Sequence, residues 1–175
     1  LEFVLQEEQL GTGHAAQQTE QALNDFKGNV LVLCGDMPLI KAETLERLLQ
    51  QHKEVATKCS VLTLKSKAKH DFGRIIRDVD GAILKIVEHR DASPKEKIVD
   101  ESNSGVYCFD KELFFKALCC LGYDNDQKEY YLTDTLEYAM KNGYPVASVQ
   151  TEDTDEIFGI NSPEDLKRAE NLLEN

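Results

Sequence analysis

The hydrophobic pattern of this chain predicts an α/β fold: an open, mostly parallel sheet flanked by helices, with a small antiparallel β layer inserted into it. Residues 30–34 (VLVLC) form an unbroken aliphatic run, as a strand covered on both faces requires. Such runs alternate with stretches of helical periodicity along most of the chain. Between residues 73 and 109 the pattern changes to short strands separated by turn residues, the signature of a local antiparallel sheet.

Taken in order, Phe3-Val4-Leu5 reads as the end of a strand, and residues 14–24 have helical composition that stops before Lys27-Gly28-Asn29. After the strand at 30–34, residues 43–52 place Leu45, Leu48 and Leu49 on one helical face. A second buried strand is expected at 59–64. The inserted layer comprises 73–76, 82–88 and 105–109, with Asp78-Val79-Asp80-Gly81 turning between the first two. Helices follow at 111–121 and 131–141, the latter closed by Asn142-Gly143. Residues 145–150 form the last strand. Ser162-Pro163-Glu164-Asp165 then opens the final helix with an N-cap, a proline at its first position and acids in the first turn. No repeat or linker divides the chain, so a single domain over 1–175 is expected.

The 175 residues suffice for one domain with a core of its own. No apolar run approaches the ~20 residues of a membrane span, and no basic segment leads into an apolar signal core. A cytoplasmic protein without a membrane partner is the expectation. Lys+Arg 20 against Asp+Glu 32 leaves a net charge of −12, which repels a nucleic-acid backbone. A small phosphorylated substrate remains compatible, and on so acidic a chain it calls for a divalent cation. The five cysteines (Cys34, Cys59, Cys108, Cys119 and Cys120) are odd in number and lack CxxC spacing, as reduced cytosolic thiols do.

In open sheets, ligands gather off the carboxyl ends of strands. Gly35-Asp36 follows the most hydrophobic strand: Gly35 allows close backbone approach, and Asp36 offers a hard carboxylate suited to Mg²⁺ or, equally, a loop cap. Gly11-Thr12-Gly13 is either a nucleotide-binding turn or a plain strand-to-helix connection, since it matches neither GxGxxG nor a P-loop. Glu88 can accept from a sugar hydroxyl or simply end a strand, within the charged Glu88-His89-Arg90-Asp91. Asn103 can read an amide or form an Asx-turn. Tyr131 and Thr133 stand at a helix start, and Asn161 ends the last strand as a neutral ligand or part of the cap. No Ser-His-Asp order, nucleophilic cysteine constellation or zinc spacing stands out, which points to positioning and metal electrostatics rather than covalent catalysis.

Together, QLGTGHA, GDMPL, FGRI, IVEHRDA, ESNSGVY, EYYLTD and GINSPEDL, in this order, resemble the uridyltransferase (pyrophosphorylase) domain of bacterial N-acetylglucosamine-1-phosphate uridyltransferases, in the nucleotide-sugar pyrophosphorylase family. The likeness runs from about residue 4 to about 170. It implies a Rossmann-like sheet of the nucleotide-diphospho-sugar transferase type, and a Mg²⁺-dependent reaction of UTP with N-acetylglucosamine 1-phosphate giving UDP-N-acetylglucosamine and pyrophosphate. It also implies that Gln6 and Gly11 hold the uracil edge with Thr12 alongside, and that Gly35 and Asp36 lie at the nucleotide. Asp36 and Asn161 would coordinate Mg²⁺. Gly73, Glu88 and Asn103 would bind the sugar and its N-acetyl group, with Tyr131 and Thr133 along the sugar and phosphate.

Three departures stand out. Cys34 replaces a tyrosine frequent in the family, Asn-Ser-Gly replaces Asn-Thr-Gly, and no LAAGxGTRM loop with its phosphate-gripping Arg and Lys is found. The expectation is therefore a domain lacking its first two βα units, without the acetyltransferase repeats of the bifunctional enzymes. The exposed edge of strand 30–34 would then need either a preceding segment or a second copy. Two alternatives stay open: a sugar-1-phosphate nucleotidyltransferase of glucose or thymidine specificity, and a nucleotide-sugar-binding module without turnover.

Overall fold

The computed structural model describes residues 1–67 and 71–174. Its elements run α1 (Thr12–Gln17), β1 (Asn29–Val32), α2 (Ala42–Glu54), β2 (Cys59–Lys65), β3 (Arg74–Arg77), β4 (Ile83–Val87), α3 (Pro94–Lys97), β5 (Glu101–Asp110), α4 (Lys111–Leu118), α5 (Asp134–Lys141), β6 (Val146–Thr151) and α6 (Pro163–Leu173). The expected helix at 14–24 is regular only as far as Gln17 and continues as turns to Asp25. Phe3-Val4-Leu5 forms no strand. Among the described residues no strand lies beside it to pair with, and Phe3 and Leu5 are 89% and 77% exposed.

The six strands form one open sheet in the order β4-β3-β5-β2-β6, with β1 also paired to β5. The α/β class and the open sheet stand, but the expectation that the sheet is mostly parallel does not. Among the described residues only β2 and β6 pair in parallel; β1, β2 and β3 all pair antiparallel to β5, as β3 does to β4. A continuous apolar run reports cover on both faces and says nothing of strand direction. Nor is the antiparallel layer separate, because Arg74 of β3 pairs with Ser102 of β5 and joins the hairpin to the main sheet.

β5 is the organising strand. Its side chains alternate between two cores. Tyr107 and Phe109 join Val61, Phe114, Leu118 and Leu136 under α4 and α5, while Val106 and Cys108 join Leu48, Leu62 and Ile157 under α2. Each fully buried aliphatic side chain contributes about 1.5–3 kcal/mol.

The helix starts show why the chain turns where it does. Ser162 Oγ accepts from the Asp165 amide at 3.1 Å, the cap its sequence announces. Asp110, the last residue of β5, caps α4 by accepting from the Leu113 amide at 3.1 Å. At the end of α5, Gly143 adopts φ +80° and its amide reaches Met140 O, while that of Tyr144 reaches Ala139 O. Among the described residues no helix is long and apolar enough to cross a membrane.

Candidate active site

Where the sheet opens, a cavity forms. β1 pairs with the carboxyl half of β5 (Tyr107 to Asp110), and β3 meets the same edge at Ser102. Between them the edge of β5 has no strand beside it, and residues 103–105 face the opening. A β-bulge deepens the effect: β2 advances from Val61 to Thr63 while β5 covers Tyr107 to Asn103. Gly105 takes φ +81° in this bulge, and Ser104 Oγ secures it by donating to Leu62 O at 2.7 Å. Bulges re-aim side chains beside functional sites, and here Asn103 is the one re-aimed. The resulting cavity has a volume of about 660 Å³.

Of the residues singled out by sequence, Thr12, Asp36, Gly73, Glu88, Asn103, Tyr131, Thr133 and Asn161 all line this one cavity. Gln6, Gly11 and Gly35 do not. Segments far apart in the chain meet here because the carboxyl end of β1 and the amino end of β3 approach the same open stretch of β5, with the carboxyl end of β4 beside β3.

At one end, Asp36 and Asn161 converge on Gly159. A Cβ built there would lie 3.1 Å from Asp36 Oδ2 and 3.3 Å from Asn161 Nδ2, and the Ile160 amide donates to Asp36 O at 2.8 Å. Turning the Asn161 amide about its last torsion presents a carbonyl oxygen in the same place. One carboxylate and one amide oxygen fit Mg²⁺, which takes few protein ligands and fills the rest of its octahedron from phosphates and water. Among the described residues no three His, Cys, Asp or Glu side chains form a cage of their own.

At the other end, polar side chains interlock. Thr133 Oγ1 donates to Glu88 Oε1. Asn103 Nδ2 donates to the Tyr107 hydroxyl at 2.7 Å and lies 3.4 Å from Thr133 Oγ1, while Asn103 Oδ1 accepts from the Gly105 amide at 3.1 Å. Gly73 is pressed close: its carbonyl accepts from the Asn103 amide at 2.8 Å, and a Cβ on it would lie 3.4 Å from the Glu88 carboxyl carbon. Tyr131 donates to Gln127 Oε1 at 3.1 Å, and burial, with help from Asp91, pushes its phenol up to about 12. Asp134, next to Thr133, is pushed up to about 6, chiefly by burial and then by the neighbouring charges of Glu137, Glu88 and Asp91. This end of the cavity is acidic and arranged to accept hydrogen bonds.

The Gly-Thr-Gly turn is shaped first by packing. Gly11 takes φ +109°, where a Cβ would meet Tyr130 O at 2.7 Å. The Gly13 amide donates to Tyr130 O at 2.8 Å, and that of Tyr130 to Leu10 O at 2.8 Å. Thr12 Oγ1 accepts from the Leu132 amide at 3.1 Å. The Gln6 side chain folds back onto Gly11 O at 3.2 Å and His14 Nδ1 at 3.0 Å. Both glycines are therefore required by the seam between α1 and residues 129–132, and only Thr12 of this turn reaches the cavity.

Among the lining residues that sequence reasoning did not single out, Tyr107 and Arg168 stand out. Tyr107 lies within an apolar strand, where a phenol reads as core. Arg168 is, among the described residues, the one Lys or Arg lining the cavity. It stacks on Phe158 at 4.4 Å and pairs with Asp155 at 2.9 Å. Its place on an amphipathic helix gave no signal. Cys34 packs against Gly105, and burial, then Asp36, holds its thiol protonated above the usual range.

Known proteins share this fold. The family model described as nucleotidyl transferase covers residues 1–162. The bifunctional protein GlmU of Bacillus cereus (strain G9842) is 47% identical over 174 residues, which are 99% of this chain and 38% of that protein. GlmU of Bacillus anthracis (strain CDC 684 / NRRL 3495) matches at the same identity and coverage. The chain thus spans 38% of the length of these curated relatives. A UDP-glucose pyrophosphorylase complexed with UDP-glucose superposes with a TM-score of 0.74 at 17% identity, covering 97% of this chain and 64% of that one. A putative glucose-1-phosphate thymidylyltransferase from Bacillus anthracis gives 0.66 at 19%, covering 95% and 62%. These two structures establish the fold alone. The family model and the 47% identity reach further: the chain belongs to the nucleotidyl transferase family.

Proposed function

We propose that this chain carries the sugar- and metal-binding part of a UDP-N-acetylglucosamine pyrophosphorylase, joining UTP and N-acetylglucosamine 1-phosphate with release of pyrophosphate. The observation that carries this reading is the meeting of Asp36 and Asn161 at one end of a cavity whose other end is built by Glu88, Asn103 and Thr133. The 47% identity to GlmU supports the choice of substrates.

The chemistry asks little proton transfer of the protein. A phosphate oxygen of the sugar phosphate forms a bond to the α-phosphorus of UTP as the α–β bridging P–O bond breaks and pyrophosphate leaves. Glu88 and Asn103 would orient the sugar, with Gly73 and Tyr131 beside it, so that the attacking phosphate stays in line. Thr12 would meet the nucleotide base, with Gln6 and Gly11 setting that turn from behind and Gly35 leaving room for the phosphates. Asp36 and Asn161 would hold Mg²⁺, which when bound offsets the charge gathered on the phosphates. Arg168 would add a fixed positive charge on the same wall.

The free, exposed thiols of Cys119 and Cys120 suit a reducing cytoplasm. Among the described residues β1 is paired on one side only, and we infer that a further strand, from a longer chain or a second copy, covers its other edge. Pyrophosphate release with UTP or dTTP, against N-acetylglucosamine 1-phosphate or glucose 1-phosphate, tests the reading. Turnover highest with UTP and N-acetylglucosamine 1-phosphate is expected. A preference for glucose 1-phosphate or dTTP overturns the substrate assignment. UDP-N-acetylglucosamine binding without turnover identifies a binding module instead.

A further inference from the structure

The polar cluster at the sugar end has a direction. Because the Gly105 amide donates to Asn103 Oδ1, the nitrogen end of that amide faces Tyr107 and donates to its hydroxyl at 2.7 Å. A phenol that accepts sends its own proton onward, and Thr133 Oγ1, which also accepts directly from Asn103 Nδ2 at 3.4 Å, lies 3.5 Å from it. Thr133 in turn donates to Glu88 Oε1. Tyr107 is 1% exposed and wedged beside the Phe109 ring, which holds its hydroxyl to these partners.

We propose that Tyr107 is a positioning residue for the sugar end of the site. Its hydroxyl sets the donor sequence Asn103 to Tyr107 to Thr133 to Glu88, so that Glu88 meets the ligand purely as an acceptor. The Thr133 proton is committed to Glu88, leaving Thr133 no donor to offer a phosphate. The sugar end therefore selects a ligand hydroxyl or N–H and discriminates against an acceptor at that position. This inference rests on the reading of the cavity as a nucleotide-sugar site.

The test is calorimetry of the 175-residue chain with UDP-N-acetylglucosamine and with UDP, both with Mg²⁺, for the parent, Tyr107→Phe, Thr133→Val, Thr133→Ser and the Phe/Val double variant, each checked for folding by circular dichroism. Tyr107→Phe is expected to weaken UDP-N-acetylglucosamine binding about fivefold to tenfold and UDP binding less than about twofold. Thr133→Ser recovers most of what Thr133→Val loses, and the double variant binds no more weakly than Thr133→Val alone, because both substitutions cut one chain. Additive losses, equal losses for the two ligands, or an unchanged Tyr107→Phe would overturn the inference while leaving the site reading intact. A parent chain that binds UDP no more weakly than UDP-N-acetylglucosamine, or neither, overturns the site reading itself and the inference with it.

Discussion

Replacing Gly159 by alanine probes the metal end without altering either proposed ligand. The backbone at Gly159 lies outside the left-handed region, so alanine is conformationally tolerated there, and the cost falls on its neighbours. The new Cβ would sit 3.1 Å from Asp36 Oδ2 and 3.3 Å from Asn161 Nδ2. Relaxed contacts of this kind begin near about 3.5 Å, so the carboxylate must retreat by roughly 0.4 Å. Functional constellations hold their geometry to within about 0.5 Å, and a displacement of about 1 Å can cost on the order of 100-fold. A retreat of this size corresponds to about tenfold, or about 1.4 kcal/mol. The assay is UDP-N-acetylglucosamine affinity titrated against Mg²⁺, with thermal melting alongside. The Mg²⁺ midpoint is expected to rise about tenfold while Tm moves by less than about 2–4 °C. A folded Gly159→Ala protein with an unchanged Mg²⁺ midpoint would refute the pairing of Asp36 with Asn161 as metal ligands.

Gly11→Ala behaves oppositely, as a stability lesion: φ +109° with ψ 175° is a region open in practice only to glycine, and Tyr130 O blocks the Cβ. A loss of about 3 kcal/mol in urea denaturation is expected, and a loss below about 1 kcal/mol would show the seam to be loose. Asp134, held near 6 against an ordinary 3.8, favours the folded state while protonated; that contribution is lost as pH rises through about 6. Asp134→Asn should therefore gain stability over the parent between pH 4 and 7, by about 1 kcal/mol after allowing for partial exposure, and a pH-independent difference in melting would contradict this. Leu33, just past the unpaired edge of β1, is 41% exposed. Concentration-dependent association by analytical ultracentrifugation is expected, reduced by Leu33→Lys, and an unchanged profile in that variant would place the association elsewhere.

Much of the candidate site was legible because its residues sit where the chain pattern breaks. Asp36 follows the apolar run of β1 and Glu88 follows β4, where strands hand over to loops. Asn161, expected at the end of the last strand, lies instead in the loop well past the end of β6 at Thr151, directly before the Ser162-Pro163 cap. Hydrophobic alternation likewise marked the strands and both sheet faces, since burial leaves its period in the residues themselves. Hydrogen-bond partners leave no such trace. That β5 runs against β1, β2 and β3, that Phe3 to Leu5 joins no strand among the described residues, and that Gly11 answers to Tyr130 were decided only when the strands met. The same holds for Tyr107. Its neighbours in sequence make it a core aromatic, and only the bulge at Gly105, by turning Asn103 toward the gap between β1 and β3, places its hydroxyl in the chain that ends at Glu88.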